Sequence, residues 1–133
     1  MMDWDNMIDT QEGLARMVGK TFVRVEGSAG DGEMLFRTAD GETFLFSHYQ
    51  NCCESVRIED ICGDLEDLVG EPILMAEEVS GEAPASDEDH WGSQTWTFYK
   101  FATRKGYVDV RWLGESNGYY SESVDMWHSE GVA

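Results

Sequence analysis

"LARMVGKTFVRVE", residues 14–26, and "LEDLVGEPILMAE", residues 65–77, share a leucine, a Val-Gly step and a final glutamate at equal spacing. Each reads as a short helix that stops at a glycine and hands the chain to a strand. Glycine suits that junction because it enters the left-handed region without a Cβ clash. In the first phrase Thr10 is the expected N-cap, "QEGLARMV" the helix body and Gly19 the stop. In the second, Asp64 is the expected cap. Leu65, Leu68 and Val69 form the apolar stripe, and Gly70-Glu71-Pro72 ends the helix.

Outward from these junctions the chain alternates as strands do. "KTFVRVEGS", "EMLFRTA" and "ETFLFSHYQ" read as three strands, the last two joined by Asp40-Gly41, a strong hairpin signal. "ESVRIE" (54–59) makes a fourth. After the second junction come "PILMAEEV", a long loop over 80–94, and "TWTFYKFAT" paired with "YVDVRWLG" across Arg104-Lys105-Gly106. "ESVDMWHS" ends the chain as a further strand or edge. Two more phrases recur in the same order: "FRTADG" (36–41) with "FATRKG" (101–106), and "ESVRIE" with "ESVDMW" (122–127). Three matches in register suggest an α-β-β-β-β unit used twice. The expectation is an α+β fold, a predominantly antiparallel sheet with two short helices. It forms one domain over 1–133, with pseudo-repeats at 10–60 and 61–128.

Composition narrows the function. The 133 residues carry 27 acids against 9 bases, a formal net charge of −18, with 41% hydrophobic residues to build a core. That excess repels nucleic acid and anionic membranes and attracts basic surfaces, including those that nucleic-acid-binding proteins present. No apolar run is long enough to span a bilayer, and "MMDWDNMIDTQEG" has neither the basic nor the apolar region of a signal peptide. Three cysteines, an odd number without framework spacing, suit a reducing compartment. The expected location is the cytoplasm.

One segment collects the chemistry-bearing residues: "HYQNCCESVRIEDICGDLEDLVG" (48–70). If 44–52 is a strand, Phe44, Phe46, His48, Gln50 and Cys52 share one face and Cys53 points away. Adjacent strand residues cannot grip one ion, and no four-ligand spacing is present, so metal binding and Cys-His catalysis centred on His48, Cys52 and Cys53 form the alternative reading. A bridge between neighbouring cysteines also reads as unfavourable, since their α-carbons sit about 3.8 Å apart. Reduced, structural cysteines are expected, with no metal, no cofactor and no catalytic residue.

The acids are uneven. From Glu54 to Asp89 there are 13 acids and a single base, Arg57. Asp64, Glu66 and Asp67 fit the first turn of a helix, where carboxylates favour the dipole. Glu54, Glu59, Asp60, Glu71, Glu77 and Glu78 have no such account. These nine are the expected partner-binding residues. From His90 to Lys105 lie three bases, no acid and five aromatics, of which Trp96, Phe98 and Phe101 are read as strand core or interface.

"SHYQNCCESVRIEDICGDLEDLVGEPILMAEE", "WTFYKFATRKGYVDVRW" and "ESNGYYSESV" together resemble a family of short uncharacterised proteins of phages, prophages and bacterial genomes, over roughly residues 19–125. The resemblance implies a phage-linked origin and a bacterial host cytoplasm, and carries no functional residues. With the charge, it points to a non-enzymatic acidic protein that occupies a basic surface of a host protein, for example as an anti-defence or anti-CRISPR inhibitor. It would touch neither nucleic acid nor membrane directly.

Overall fold

The computed structural model describes residues 6–50, 53–82, 93–116 and 122–130. Nine strands dominate them: β1 (Met7–Ile8), β2 (Phe22–Glu26), β3 (Glu33–Thr38), β4 (Thr43–Ser47), β5 (Ser55–Cys62), β6 (Met75–Glu82), β7 (Ser93–Thr103), β8 (Gly106–Ser116) and β9 (Asp125–Ser129). A single α-helix, α1 (Thr10–Met17), precedes β2, and one 3-10 turn (Leu65–Leu68) precedes β6. The expectation of an α+β fold with two helices is therefore overturned: this is a small β-rich fold of two antiparallel sheets.

The second helix fails for want of length. Asp64 does cap it, accepting from the Glu66 N–H, but only four residues follow before the chain turns at Val69 and Gly70. Leu65 and Leu68 sit three apart, the repeat of a 3-10 turn, and one such turn places both against the core. At α1 the cap is Asp9 rather than Thr10; its carboxylate accepts from the Glu12 N–H. Gly13 lies under Met126, whose sulfur leaves no room for a Cβ.

Sheet one runs β1-β9-β4-β3-β2 and sheet two runs β5-β8-β7-β6. Each contains a three-strand meander (β2-β3-β4 or β6-β7-β8) plus one strand sent across from the other half of the chain. β5 leaves the first half to pair with β8, and β9 leaves the second to pair with β4. The two Val-Gly junctions meet reciprocally. The Gly19 N–H donates to Ile73 O and the Gly70 N–H to Phe22 O, both at 2.8 Å, flanking a bridge between Thr21 and Pro72. Gly19 and Gly70 have φ of 90° and 84°, so both stops use the left-handed region.

The core lies between the sheets. Phe22, Phe36, Phe44 and Phe46 from sheet one face Tyr99, Phe101, Val108, Val110 and Trp112 from sheet two. Phe36 meets Phe101 with ring centroids 5.0 Å apart, and Phe46 meets Tyr99 at 4.8 Å, in the tilted and edge-on geometries aromatic quadrupoles favour. Removing the Phe36 ring would cost about 3–5 kcal/mol through lost burial and the cavity left behind. Phe101 is thus core, as the alternation implies. Trp96 and Phe98 are half-buried, outside this cluster, and Arg111 stacks 5.0 Å from the Trp96 ring. Among the described residues, no helix is long and apolar enough to cross a membrane.

Candidate functional site

The nine expected partner-binding acids do not form one face. Register pairs Asp60 with Arg111, and their side chains approach to 4.0 Å. Glu77 is exposed on edge strand β6, opposite Lys100. Asp64 and Glu66 are exposed on the 3-10 turn, and Asp67 beside them lies against Gly106 of the β7–β8 hairpin. Glu59 pairs with Arg57 at 3.4 Å and Glu71 with Arg104 at 3.0 Å. These seven lie on the surface around sheet two. The other two lie elsewhere.

Glu54 is the clearest departure. Its side chain is buried, and its Oε2 lies 2.8 Å from His48 Nε2. His48 continues inward from Phe44 and Phe46 just beyond the end of β4, which is why it too is buried. Its Nδ1 lies 2.7 Å from Ser123 O, with Asp125 Oδ2 at 3.8 Å. Both ring nitrogens therefore face acceptors. A ring so engaged can act as a metal ligand or general base only by giving up one of these bonds, and Glu54 cannot face a partner.

The cysteines also differ from expectation. Cys53 is disulfide-bonded, so it is not a reduced packing residue, and its partner lies outside the described residues. Cys62 is free and exposed at the end of β5. Among the described residues, no three His, Cys, Asp or Glu side chains converge as metal ligands.

Glu78 turns to the inner face of β6, opposite Tyr99, and lines a cleft of about 390 Å³ at one end of the sandwich. Thr95 and Thr97 of β7 form one wall; Glu122, Ser123, Val124 and Asp125 at the entry to β9 form the other, with Thr10 at the rim. Glu122 is buried and takes hydrogen bonds on both oxygens, from Thr95 Oγ1 at 2.8 Å and from Ser116 Oγ. Asp125 accepts from the Tyr49 N–H at 2.9 Å, and Glu78 from Gln11 Nε2 at 3.4 Å. Three carboxylates thus share one cleft, and no lysine or arginine lines it. Sequence reasoning missed Glu122 and Asp125. The "ESV" match with residues 54–56 was the available signal, because it places Glu122 where the first half has buried Glu54.

Tyr99, opposite Glu78 in the β6–β7 register, is fully buried, and its hydroxyl lacks a well-formed hydrogen bond. Burial pushes its pKa up, and the charges of Glu78 and Asp125 push it further. At Glu42, beside β9, burial works against ionisation. The hydrogen bond from His128 at 2.8 Å and the Lys20 ammonium at 2.9 Å outweigh it and hold its pKa low.

Neither the curated proteins nor the solved structures include a match to this chain. A family profile does match, over residues 15–126, which is most of the chain and includes both Val-Gly junctions and the three cleft carboxylates. The chain belongs to the family described as the domain of unknown function DUF7448.

Proposed function

We propose that this chain is a non-enzymatic acidic interaction protein that occupies a basic, nucleic-acid-binding surface of another protein. The observation that supports it is the charge remaining after internal pairing. Six of the nine bases (Arg16, Lys20, Arg24, Arg57, Arg104 and Arg111) already lie within 4.0 Å of the chain's own carboxylates. Nine bases cannot answer 27 acids, so the net −18 stays on the carboxylates. Asp64, Glu66 and Glu77 are the members of the acidic set that face outward around sheet two, with exposed Asp60 near Arg111 and with Glu59 and Glu71 more closely paired beside them. Solubility needs only a modest net charge, so a surplus of this size calls for a further account.

In its narrowest form the reading is a phage-carried inhibitor of host defence, which rests on the sequence resemblance and the charge alone. The test is displacement. A partner captured on the immobilised protein should be released by duplex DNA at the concentration that saturates the partner's own nucleic-acid site. A partner that stays bound with that site filled would contradict the reading.

A further inference from the structure

We propose that the outer face of sheet one is a self-association surface, on which a second copy of this chain docks face to face about a two-fold axis. This goes beyond the function argued above and uses none of the acids around sheet two.

Alternation along each strand defines the face. Met34, Phe36, Phe44, Phe46 and Met126 point into the core, so Glu33, Leu35, Arg37, Leu45 and Trp127 point away from it. The outer face of an antiparallel sheet is ordinarily polar. Here register sets Leu35 beside Leu45, Leu45 beside Trp127 and Trp127 beside Met7, an apolar row across four strands. Leu45 stands between two clefts, one of about 390 Å³ shared with Leu35 and one of about 540 Å³ shared with Trp127. Trp127 is only 7% exposed, so the new burial falls mainly on half-buried Leu35 and Leu45.

What selects a second copy is the charge on either side of the row. β3 presents an acid, an apolar residue and a base in alternation: Glu33, Leu35 and Arg37. Among the described residues Glu33 makes no hydrogen bond or ion pair, and the Arg37 guanidinium holds only the Thr43 hydroxyl, at 3.2 Å. An isologous interface needs a patch that complements itself. A two-fold axis along the apolar row meets that need, because it lays β3 antiparallel over β3 of the second copy, with Leu35 on Leu35. Arg37 of each copy then meets Glu33 of the other, and two reciprocal ion pairs flank the leucines. Packed sheets lie about 10 Å apart with strands within about 30°, close enough for arginine and glutamate to meet between them.

Glu26 lies on the same axis at the sheet edge, where Arg24 already answers it at 2.6 Å. On β2 and β3 the face therefore carries as many bases (Arg24, Arg37) as acids (Glu26, Glu33). The surplus charge that makes whole copies repel is absent where these strands touch. Strands about 4.8 Å apart, with residues about 3.4 Å apart along them, make a face roughly 20 Å square per copy, small for a protein interface. The dimer is accordingly weak, with a dissociation constant on the order of 10–100 μM.

The experiment is sedimentation equilibrium of the intact protein, native and with single charge reversals. The native protein should pass from monomer to dimer across about 10–500 μM. Glu33→Arg and Arg37→Glu, each checked for native circular dichroism, should weaken the dimer at least about tenfold, since each sets like charges together at both pairs. Mixing the two variants should restore the native constant, because every pair across the mixed dimer is again opposite in sign. Replacing Asp60, Asp64, Glu66 and Glu77 with lysine should leave the dimer in place, so this inference and the function proposed above fail separately. A native protein still monomeric at about 1 mM would overturn the proposal. So would a mixture of the two variants that associates no better than either alone.

Discussion

Glu54 and Glu122 occupy matching places in the two halves of the chain, and the fold buries both. Each follows its partner by six residues, His48 in one case and Ser116 in the other, and each opens an "ESV" phrase leading to the strand that crosses to the opposite sheet. Their neutralisation differs. Glu54 meets an imidazole that is itself tied to the Ser123 carbonyl, so it sits in a clasp joining the two halves. Glu122 meets two hydroxyls and stays at the wall of an open cleft. The same residue type at related positions therefore serves as a fastener in one half and as part of the wall of a charged concavity in the other.

The largest expected effect is on the clasp. Replacing His48 with alanine takes the imidazole away from buried Glu54 and should cost about 3 kcal/mol in urea unfolding at neutral pH. A loss below about 1 kcal/mol would show that water or backbone readily replaces the ring. On the other side of the comparison, Thr95→Val removes one of two hydroxyl donors from Glu122 and should cost less, about 1–2 kcal/mol. If Thr95→Val costs as much as His48→Ala, the two glutamates are held alike and the contrast fails.

Tyr99→Phe should have a smaller effect of opposite sign. Deleting a buried hydroxyl that has no partner stabilises the fold by about 1 kcal/mol, read as a rise in melting temperature. The raised Tyr99 pKa adds a test at high pH. Its contribution is complete below the ordinary value of 10.0 and declines above it, where the unfolded chain ionises and the folded one does not. The phenylalanine variant should lose that part of the alkaline decline.

Smallest is the effect at Glu42. Glu42 has a lowered pKa, so the stability it contributes is complete above its ordinary value of 4.5. It is lost as pH falls through the lower folded value. Glu42→Gln should flatten the acid limb of a stability–pH profile in that window. An unchanged limb would mean that His128 and Lys20 contribute nothing net there.

Local structure was legible in the sequence where short-range rules govern it. Alternation gave the cores of β2, β3, β4, β7 and β8, Asp40-Gly41 placed a hairpin, and Gly19 and Gly70 ended their elements as glycine does. Pairing between distant segments was not. Nothing in "ESVRIE" or "ESVDMW" says that each joins the sheet built by the other half, and that exchange is what divides the strands into two sheets. The second helix was overread because a cap and three apolar residues cannot show how few residues the turn has to spend. Glu54 was placed on the surface because an acid in an acid-rich segment usually is there. Its burial depends on His48 arriving across six residues and on Ser123 arriving from the far end of the chain.

The central claim is that the outward acids around sheet two make the contact with a basic partner. The most direct measurement is the association rate of the captured partner as a function of salt, for the native protein and for a variant with lysine at Asp60, Asp64, Glu66 and Glu77. As the Debye length shrinks from about 10 Å at 0.1 M to about 3 Å at 1 M, association of the native protein should slow steeply while dissociation changes little. The variant should associate slowly at every salt concentration and keep its native circular dichroism. Association that is equally fast for both proteins and flat in salt would contradict the claim.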